Sequence, residues 1–293
     1  MIPRWLLLAP LLAALSACGT LAPGGGYYED DGPEARPPAD VANIPDAVPK
    51  VEPRSATGNN PYTVYGISYS PLSDTQGYRE RGIASWYGKK FHNKRTSSGE
   101  PYDMYAMTAA HKTLPLPSYA RVRNLQNGRS VVVRVNDRGP FLHNRLIDLS
   151  YTAAARLGIV GQGTGVVEVE AVSPDEPGTQ LAQIQTYPLQ VISPAVAAEE
   201  LPQSSTAAGP KLYLQVGAFT QWDNAANLRN RLEREALRPI SIQSSPAIKE
   251  NGADSARVVY RVRVGPLANV EEGDRLTERA AQLGVSDARI VVE

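Results

Sequence analysis

Two stretches of the chain lack any apolar periodicity, and they limit what the rest can fold into. Residues 18–60 are rich in Gly, Pro, Ala and Asp, and residues 173–210 contain runs such as SPDEPGTQ and PAVAAEELPQSSTAAGP. Such segments bury too little apolar surface to offset the entropy of ordering, so we expect disordered linkers there. The chain should therefore fold as two small units, residues 79–172 and 211–293. Residues 61–78 could form an arm packed on the first unit.

The N-terminus has the pattern of a secretory signal. MIPRWLLLAPLLAALSAC has a short basic start, an apolar run and small residues before Cys18, and it is too short for a good membrane span. The sequence LSAC resembles a bacterial lipobox, which implies removal of residues 1–17 and lipid on Cys18. Gly19 in place of aspartate implies, by lipoprotein sorting rules, an anchor in the outer membrane facing the periplasm. The alternative is a plain signal peptide with a chance cysteine.

Cys18 is the only cysteine, so no disulfide can form within the chain. The three histidines, His92, His111 and His143, are not spaced as a metal pair, and no cysteine partners them. The glycine-rich GQGTG (161–165) precedes a strand-like run instead of opening a helix, which favours a turn over a phosphate cradle. We therefore predict no metal and no cofactor.

The C-terminal unit has the pattern of a ferredoxin-like α+β domain. Thr220 and Asn269 can each cap an amphipathic helix, and strand-like runs flank both helices in the order βαββαβ. Its 12 Lys and Arg against 11 Asp and Glu argue against a nucleic-acid partner, because an RNA-binding surface should be basic. The expected strands are LYLQVGAF (212–219), PISIQ (239–243), VVYRVRVG (258–265) and ARIVV (288–292).

The motifs LYLQVGAFTQWDNAANL and YRVRVGPL in this unit resemble the SPOR domain family. That resemblance implies binding to peptidoglycan glycan strands that have lost their stem peptides. Gln215, Phe219, Trp222 and Arg263 are the candidates for sugar contact. For Phe219 and Trp222, packing in the domain core is an equally good interpretation.

The central unit is predicted to be mostly β, with one short helix between the cap Ser150 and the stop Gly158. Asn127-Gly128 between two strand-like runs indicates a hairpin. Short strands with little helix favour a small barrel. The expected strands are GIASWYG (82–88), ARVRNL (120–125), SVVVRVND (130–137), RLIDLS (145–150) and GVVEVEAV (165–172).

Carboxylates are the best candidates for chemistry in this unit, which has 14 Lys and Arg against 7 Asp and Glu. Alternation along SVVVRVND predicts that Asp137 points the same way as the buried valines and ends their apolar row. A carboxyl group at the rim of a core suits a general acid, but Asn-Asp-x-Gly-Pro is equally good turn chemistry. Glu100 lies in the polar loop TSSGEPYD, where an exposed loop charge is normally the better interpretation. We expect Asp148 to be structural and to bond backbone near the helix start.

The stretch from GIASWYGKKFHNKRTSSGEPYD through AAHKTLP and VNDRGP to RLIDLSYTAAARLGI resembles the rare lipoprotein A family. The resemblance implies a double-psi β-barrel and endolytic lytic transglycosylase activity. Such an enzyme cuts the MurNAc–GlcNAc bond of peptide-free glycan and leaves 1,6-anhydro-MurNAc ends, in cell-wall remodelling and daughter-cell separation. It implies Asp137 as the catalytic acid and Glu100 as a second carboxylate that stabilises charge or shares the proton. It also implies a role for His111 in orienting one of the two.

Four further residues are predicted to contact sugar: Trp86, Tyr87, Tyr102 and Arg138. For Trp86, packing in the core is an interpretation at least as good. The expected partners are glycan strands, bound by both domains, and a membrane, through Cys18; division-site proteins are left open. Two alternatives to a lytic transglycosylase remain. One is a glycan-binding lipoprotein without turnover, and the other is a hydrolase of the same bond.

Overall fold

The computed structural model describes residues 31–174 except 35, 39 and 143, and residues 209–246 and 258–293. The predicted signal peptide, Cys18 and nearly all of the predicted linker 173–210 lie outside the described residues. In the described ranges, no helix is long and apolar enough to cross a membrane.

The described strands and helices follow one another along the chain in this order. They are β1 (Tyr62–Val64), β2 (Ile67–Tyr69), β3 (Arg79–Tyr87), β4 (Thr108–His111), β5 (Ser118–Asn124), β6 (Ser130–Asp137), β7 (Ile147–Ser150), α1 (Tyr151–Leu157), β8 (Gly165–Ala171), β9 (Leu212–Phe219), α2 (Trp222–Arg234), β10 (Ile240–Pro246), β11 (Val258–Leu267), α3 (Val270–Gln282) and β12 (Arg289–Val292).

The central unit is a closed six-stranded barrel in the order β3-β7-β4-β6-β5-β8. Two of its pairings, β3 with β7 and β4 with β6, are parallel, and the others are antiparallel. The inward residues of these strands form one apolar core, which includes the alternating Val131, Val133 and Val135 of β6. The barrel predicted from short strands and turn signals is confirmed.

Local signals in the central unit are also confirmed. Ser150 caps α1, because its Oγ accepts a hydrogen bond from the Ala153 amide at 3.2 Å. Gly158 ends the helix with φ of 78°, a left-handed conformation that glycine adopts without strain. The turn containing Asn127 and Gly128 joins β5 to β6, which are antiparallel neighbours.

The described part of residues 31–60 lies against the barrel, so the prediction of a free tether is wrong for this part. The Asp31 carboxylate accepts hydrogen bonds from the amides of Gly88 at 2.7 Å and Lys90 at 2.9 Å. The Ala47 amide donates to the carbonyl of Val132 at 3.0 Å. The composition does exclude long regular elements here. It does not prevent an extended chain from bonding to side chains and free backbone groups of a barrel.

Residues 61–78 also pack on the barrel. The hairpin of β1 and β2 is held by Tyr62, whose hydroxyl donates to the carbonyl of Lys112 at 2.8 Å. Further along, the Leu72 amide donates to the carbonyl of Thr113 at 2.8 Å.

The C-terminal unit is a four-stranded antiparallel sheet in the order β10-β11-β9-β12, with α2 and α3 packed on it. The order βαββαβ is confirmed. Asn269 caps α3 through a hydrogen bond from the Glu272 amide at 2.8 Å, as predicted. Thr220 does not cap α2, which has Gln221 at its N-cap position and no side-chain cap. This helix is held instead by its apolar face, on which Leu232 is fully buried.

The two units contact each other through the loop before β7. The Arg145 guanidinium donates to both carboxylate oxygens of Asp274 on α3, at 3.1 and 2.7 Å. Asn144 donates to the hydroxyl of Thr277 at 2.8 Å. Ile83 of the barrel joins the apolar cluster of the C-terminal unit.

Candidate active site

Asp137 lies at the end of β6, where a β-bulge turns its side chain away from the barrel core. In the pairing of β4 with β6, Ala109 is opposite Val135 but Ala110 is opposite Asp137, so Asn136 is an extra residue. A bulge breaks the alternation of side chains along a strand. The prediction that Asp137 ends the row of buried valines is therefore wrong, because sequence alternation alone does not reveal a bulge.

One oxygen of the Asp137 carboxyl group is held by three donors. Oδ1 accepts hydrogen bonds from the amide and the hydroxyl of Ser97 and from the amide of Arg138, each at 2.7 Å. Among the residues that the structure describes, none donates to Oδ2. A proton carried by this group therefore resides on Oδ2, which is left for a substrate.

Glu100 lies close by and is held as an anion. Its carboxylate accepts hydrogen bonds from Nη1 and Nη2 of Arg134, at 2.7 and 2.9 Å, and from Nδ2 of Asn136 at 3.0 Å. The bonds from Arg134 lower the pKa of Glu100, although partial burial raises it. Glu100 is thus ionised at neutral pH, which argues against the alternative that it shares a proton.

The loop before β4 brings the two carboxylates together. It closes on itself through the Thr96 amide, which donates to the Glu100 carbonyl at 2.8 Å, and it docks on β6 through the Ser98 amide and the Asn136 carbonyl, at 3.3 Å. Ser97 of this loop binds Asp137, and Glu100 of the same loop binds Arg134. The structure therefore places Glu100 and Asp137 at the same end of β6.

His111 is not in contact with either carboxylate. Its ring is fully buried; Nδ1 accepts hydrogen bonds from the amides of Thr113 and Leu114, at 3.2 and 3.0 Å. Nε2 lies 2.8 Å from the hydroxyl of Tyr78. Burial, with smaller effects of nearby cations, lowers the pKa of His111 to about 3, so the ring is neutral. These bonds hold His111 inside the barrel, and among the described residues it has no direct bond to Glu100 or Asp137; its role in orienting one of them stays a prediction.

Arg138 has a structural role in this geometry, which argues against its predicted contact with sugar. Its guanidinium is buried and donates to the backbone carbonyls of Gly58, His111 and Leu114, at 2.8, 3.0 and 2.5 Å. These bonds occupy Nε and both N–H groups of Nη1, and Nη2 lies 3.4 Å from Oδ1 of Asn59. They also join the N-terminal segment to the end of β4.

The three aromatic residues predicted to stack on sugar pack inside the protein instead. The rings of Tyr87 and Tyr102 are buried and stacked, with centroids 4.0 Å apart. The hydroxyl of Tyr102 donates to the backbone carbonyl of Tyr87 at 2.5 Å. Trp86 is half-buried and meets Tyr151 edge to face at 5.6 Å. For Trp86 the structure favours core packing, the alternative that the sequence already allowed.

A different aromatic cluster, which sequence analysis missed, lies beside the end of β6. Tyr62 and Tyr69 stack at 5.2 Å, and Phe141 meets them at 6.0 and 5.7 Å. Tyr62 lies over the guanidinium of Arg138 at 6.0 Å. Phe141 directly follows the motif VNDRGP, and this was the only signal for the cluster in the sequence.

Asp148 is the other carboxyl group whose surroundings differ from expectation. It does not bond backbone at the start of α1, where Ser150 is the cap. Its carboxylate accepts a hydrogen bond from the hydroxyl of Ser85 on the neighbouring strand β3.

Models of known protein families match both the barrel and the C-terminal unit. A family model described as "Lytic transglycolase" matches residues 79–170, and one described as "SPOR domain" matches residues 208–290. The chain is 39% identical over 319 residues to the endolytic peptidoglycan transglycosylase RlpA of Pseudomonas aeruginosa, which covers 92% of this chain and 91% of that protein. The chain belongs to the RlpA family. The resemblance seen in the sequence motifs is thus confirmed.

Other members of the RlpA family and one solved structure are also similar to the chain. The RlpA of Vibrio cholerae is 46% identical over 198 residues, which is 68% of this chain and 75% of that protein. The solution structure of the peptidoglycan-binding domain of the cell wall lytic enzyme CwlC from B. subtilis is 26% identical. It covers 32% of this chain and 99% of that domain, with a TM-score of 0.20.

In the SPOR domain of this RlpA-family chain, two candidates for sugar contact lie on the sheet face away from the helices. Gln215 and Arg263 are in register on β9 and β11, and the residues that alternate with them form the domain core. Gln215 is buried, and Arg263 donates to Gln243 at 2.6 Å and to Glu293.

The two aromatic candidates of the SPOR domain differ from each other. Phe219 is half-buried against the domain core, and its ring lies over Gly217. Trp222 is 48% exposed and meets Tyr260 edge to face at 5.4 Å. Core packing therefore explains Phe219, while an exposed Trp222 remains available for a ligand.

No group of three or more His, Cys, Asp and Glu side chains in the described ranges is arranged to hold a metal ion.

Proposed function

We propose that the chain is an endolytic peptidoglycan lytic transglycosylase. It would cleave the MurNAc–GlcNAc bond of glycan strands that lack stem peptides and leave 1,6-anhydro-MurNAc ends. The observation that carries the proposal is the Asp137 carboxyl group, whose Oδ1 is held by three donors while Oδ2 is left open beside an ionised Glu100. Membership of the RlpA family supports it.

The reaction requires two proton transfers. The glycosidic oxygen takes a proton as its bond to C1 breaks, and the C6 hydroxyl loses one as its oxygen bonds to C1. In the simplest scheme, Oδ2 of Asp137 donates the first proton and then accepts the second. General acid–base catalysis by a positioned carboxyl group is worth roughly 10²- to 10⁴-fold in rate.

Glu100 would stabilise the positive charge that develops on the sugar ring as the bond to C1 breaks. A fixed anion suits this role because the charge is present before the reaction and needs no reorganisation. Arg134 and Asn136 hold the Glu100 carboxylate in place. The Glu100 carboxylate therefore attracts the positively charged sugar ring, and the positive charge of Arg134 weakens that attraction.

The SPOR domain would hold the same glycan strand. Binding by one domain raises the effective concentration of glycan at the other, with a gain set by the length of the connecting segment. The exposed ring of Trp222 is the side chain best placed for stacking on a sugar. We place the protein in the periplasm at the cell wall, with enrichment at the division septum.

Cys18 would carry lipid that anchors the mature chain to the outer membrane. Each buried CH₂ contributes about 0.8 kcal/mol to membrane binding, so several acyl chains give a stable anchor. The test is a Cys18→Ala variant of the full precursor expressed in a Gram-negative host. The intact mass and the membrane fraction of the two proteins report whether the lipid is present.

Product analysis tests the enzymatic proposal. Residues 19–293 are incubated with peptide-free glycan strands and, separately, with strands that carry stem peptides, and the fragments are weighed. A lytic transglycosylase gives 1,6-anhydro ends and prefers the peptide-free strands. Reducing ends, heavier by one water, would identify a hydrolase, and intact strands that nevertheless bind the protein would identify a binding protein without turnover.

A further inference from the structure

Two carboxyl groups lie in one row across three neighbouring strands of the barrel. Ala110 of β4 pairs with Asp137 of β6 on one side and with Asp148 of β7 on the other. Residues in register on adjacent strands point to the same face of the sheet. Strands lie about 4.8 Å apart, so the Cα atoms of Asp137 and Asp148 are roughly 10 Å apart, with one methyl side chain between them.

This row points away from the barrel core. The residues that alternate with Ala110 and Asp148, namely Ala109 and Leu149, belong to the core. The β-bulge at Asn136 is what puts Asp137 in the row. Without the extra residue, Asp137 would point inward with the valines of β6 and the two carboxyl groups would face opposite sides of the sheet.

The two carboxyl groups have different surroundings. Asp137 has one oxygen held by three donors. Asp148 is half-buried and has the hydroxyl of Ser85 as its partner. Burial raises the pKa of Asp148 to about 6, against the effects of Ser85 and two cations, and the charge of Asp137 adds to the increase. Two neighbouring carboxyl groups in such different surroundings form the arrangement that separates an acid from a base.

Among the described residues, no other charged or titratable group near Asp148 forms an ion pair with its carboxylate. Lys112, which follows β4, uses its ammonium group on the carbonyl of Arg145 at 2.7 Å. Arg145 itself is paired with Asp274. Tyr87 and Tyr102 are neutral phenols, since burial raises the pKa of each.

We infer that Asp148 is a second catalytic carboxyl group of the barrel site and that it divides the proton transfers with Asp137. Asp148 delivers its proton to the glycosidic oxygen, and ionised Asp137 takes the proton of the C6 hydroxyl. This inference rests on the proposed function and replaces its single-carboxyl scheme.

The step balances without water or a cofactor. The bond from C1 to the glycosidic oxygen breaks as that oxygen gains the Asp148 proton, so the leaving sugar ends in a hydroxyl. The C6 oxygen bonds to C1 and gives its proton to Oδ2 of Asp137. The pair holds one proton before and after the step, and exchange with solvent returns it to Asp148 before the next turnover.

A purely structural role for Asp148, as a link between β3 and β7, predicts a different result from a proton-carrying role. Replacing Ser85 by alanine removes a hydrogen bond that stabilises the ionised form. If Asp148 is the acid, its active protonated form then persists to higher pH, and the falling limb of the pH–rate profile moves up. A structural link would change stability and leave that limb in place.

The experiment measures release of 1,6-anhydro ends by residues 19–293 between pH 4.5 and 9. The variants are Asp148→Asn, Asp148→Glu and Ser85→Ala, with Glu170→Gln as the control, since Glu170 is a barrel carboxylate paired with Arg79 on the far part of β3. Melting temperature and glycan binding are measured for each variant.

We expect the Asn variant to lose at least about 100-fold in rate while it still binds glycan, and Asp148→Glu to recover part of that loss. Ser85→Ala should move the falling limb upward by about 0.5 to 1 pH unit, the equivalent of one hydrogen bond. Glu170→Gln should match the wild type.

Two results would overturn the inference while leaving the proposed function intact: a folded Asp148→Asn within threefold of the wild-type rate, or a Ser85→Ala limb that does not move. If Asp148→Asn fails to fold, the Asp148→Glu and Ser85→Ala variants still test the inference. Absence of anhydro ends from the wild type would instead overturn the proposed function together with the inference.

Discussion

The carboxylate of Glu52 accepts two hydrogen bonds from Arg134, at 2.9 Å from Nε and 2.8 Å from Nη2. The same guanidinium holds Glu100. Glu52 also accepts a hydrogen bond from the hydroxyl of Tyr119. A segment predicted as a tether thus supplies one side of the ion-pair network that fixes Glu100, which makes residues 40–60 part of the site's support.

Glu52→Gln should destabilise the barrel. The amide keeps the shape of the side chain but loses the charge that pairs with Arg134, so we expect the free energy of unfolding at pH 7 to fall by about 1.5 to 3 kcal/mol. Urea denaturation measures this loss. Asp40→Asn, an exposed change in the same segment, is the control and should leave the stability within about 0.5 kcal/mol of the wild type.

The same variant should also change the dependence of stability on pH. Arg134 lowers the pKa of Glu52 to about 2 from a usual value near 4.5. The stabilisation is therefore complete above pH 4.5 and is lost as the pH falls toward 2. The difference between wild type and Glu52→Gln should shrink over that range, and a difference that stays constant from pH 7 to 3 would contradict the ion pair.

Arg138→Lys should cost stability and spare glycan binding. Lysine cannot reproduce the planar set of donors that reaches the carbonyls of Gly58, His111 and Leu114, so we expect a loss of about 2 kcal/mol or more in the free energy of unfolding. Arg123→Lys, on the exposed side of β5, is the control. A stable Arg138→Lys protein that binds glycan more weakly would restore Arg138 as a sugar ligand.

His111 should stay neutral through the physiological range. Since burial lowers its pKa to about 3, protonation of the unfolded chain near pH 6.5 favours unfolding, and stability should fall as the pH drops below 6.5. Between pH 6.5 and 5 this group accounts for about 2 kcal/mol. NMR of the imidazole tests it directly, and a His111 resonance that titrates between pH 5 and 8 would contradict the buried geometry.

Trp222→Ala should weaken glycan binding without unfolding the SPOR domain. Half of the residue is exposed, so its removal leaves the core intact, while the loss of an aromatic surface costs roughly 1 to 2 kcal/mol of binding, or about 5- to 30-fold in Kd. Co-sedimentation with peptide-free glycan measures Kd. Tyr65→Ala, an exposed aromatic of the hairpin that is 84% exposed, should change nothing.

The parts of the fold that local patterns specify could be predicted from the sequence. The valine alternation of β6, the Asn127-Gly128 turn and the cap at Ser150 each depend on neighbouring residues. The order βαββαβ follows from the same kind of pattern. The position of Asp137 at a strand end was also predictable, because a polar residue ends an apolar run.

The predictions that failed concern features that depend on contacts between residues far apart in the sequence. The bulge at Asn136 arises from pairing with β4, which no alternation within β6 reveals. Glu52 and Arg134 are 82 positions apart, and composition alone cannot indicate their ion pair. Tyr87 and Tyr102 were expected at the surface as aromatic ligands. They are buried because Tyr87, at the end of β3, and Tyr102, in the loop before β4, stack on each other.

The central claim is that the carboxyl group of Asp137 takes part in cutting the glycan. The most direct test compares Asp137→Asn with the wild type, as residues 19–293, on peptide-free strands, with exposed Asp103→Asn as the control. We predict anhydro-ended fragments from the wild type and the control. We also predict at least about a 100-fold loss in Asp137→Asn, at unchanged melting temperature and glycan binding. Anhydro ends released by a folded Asp137→Asn protein at the wild-type rate would contradict the account.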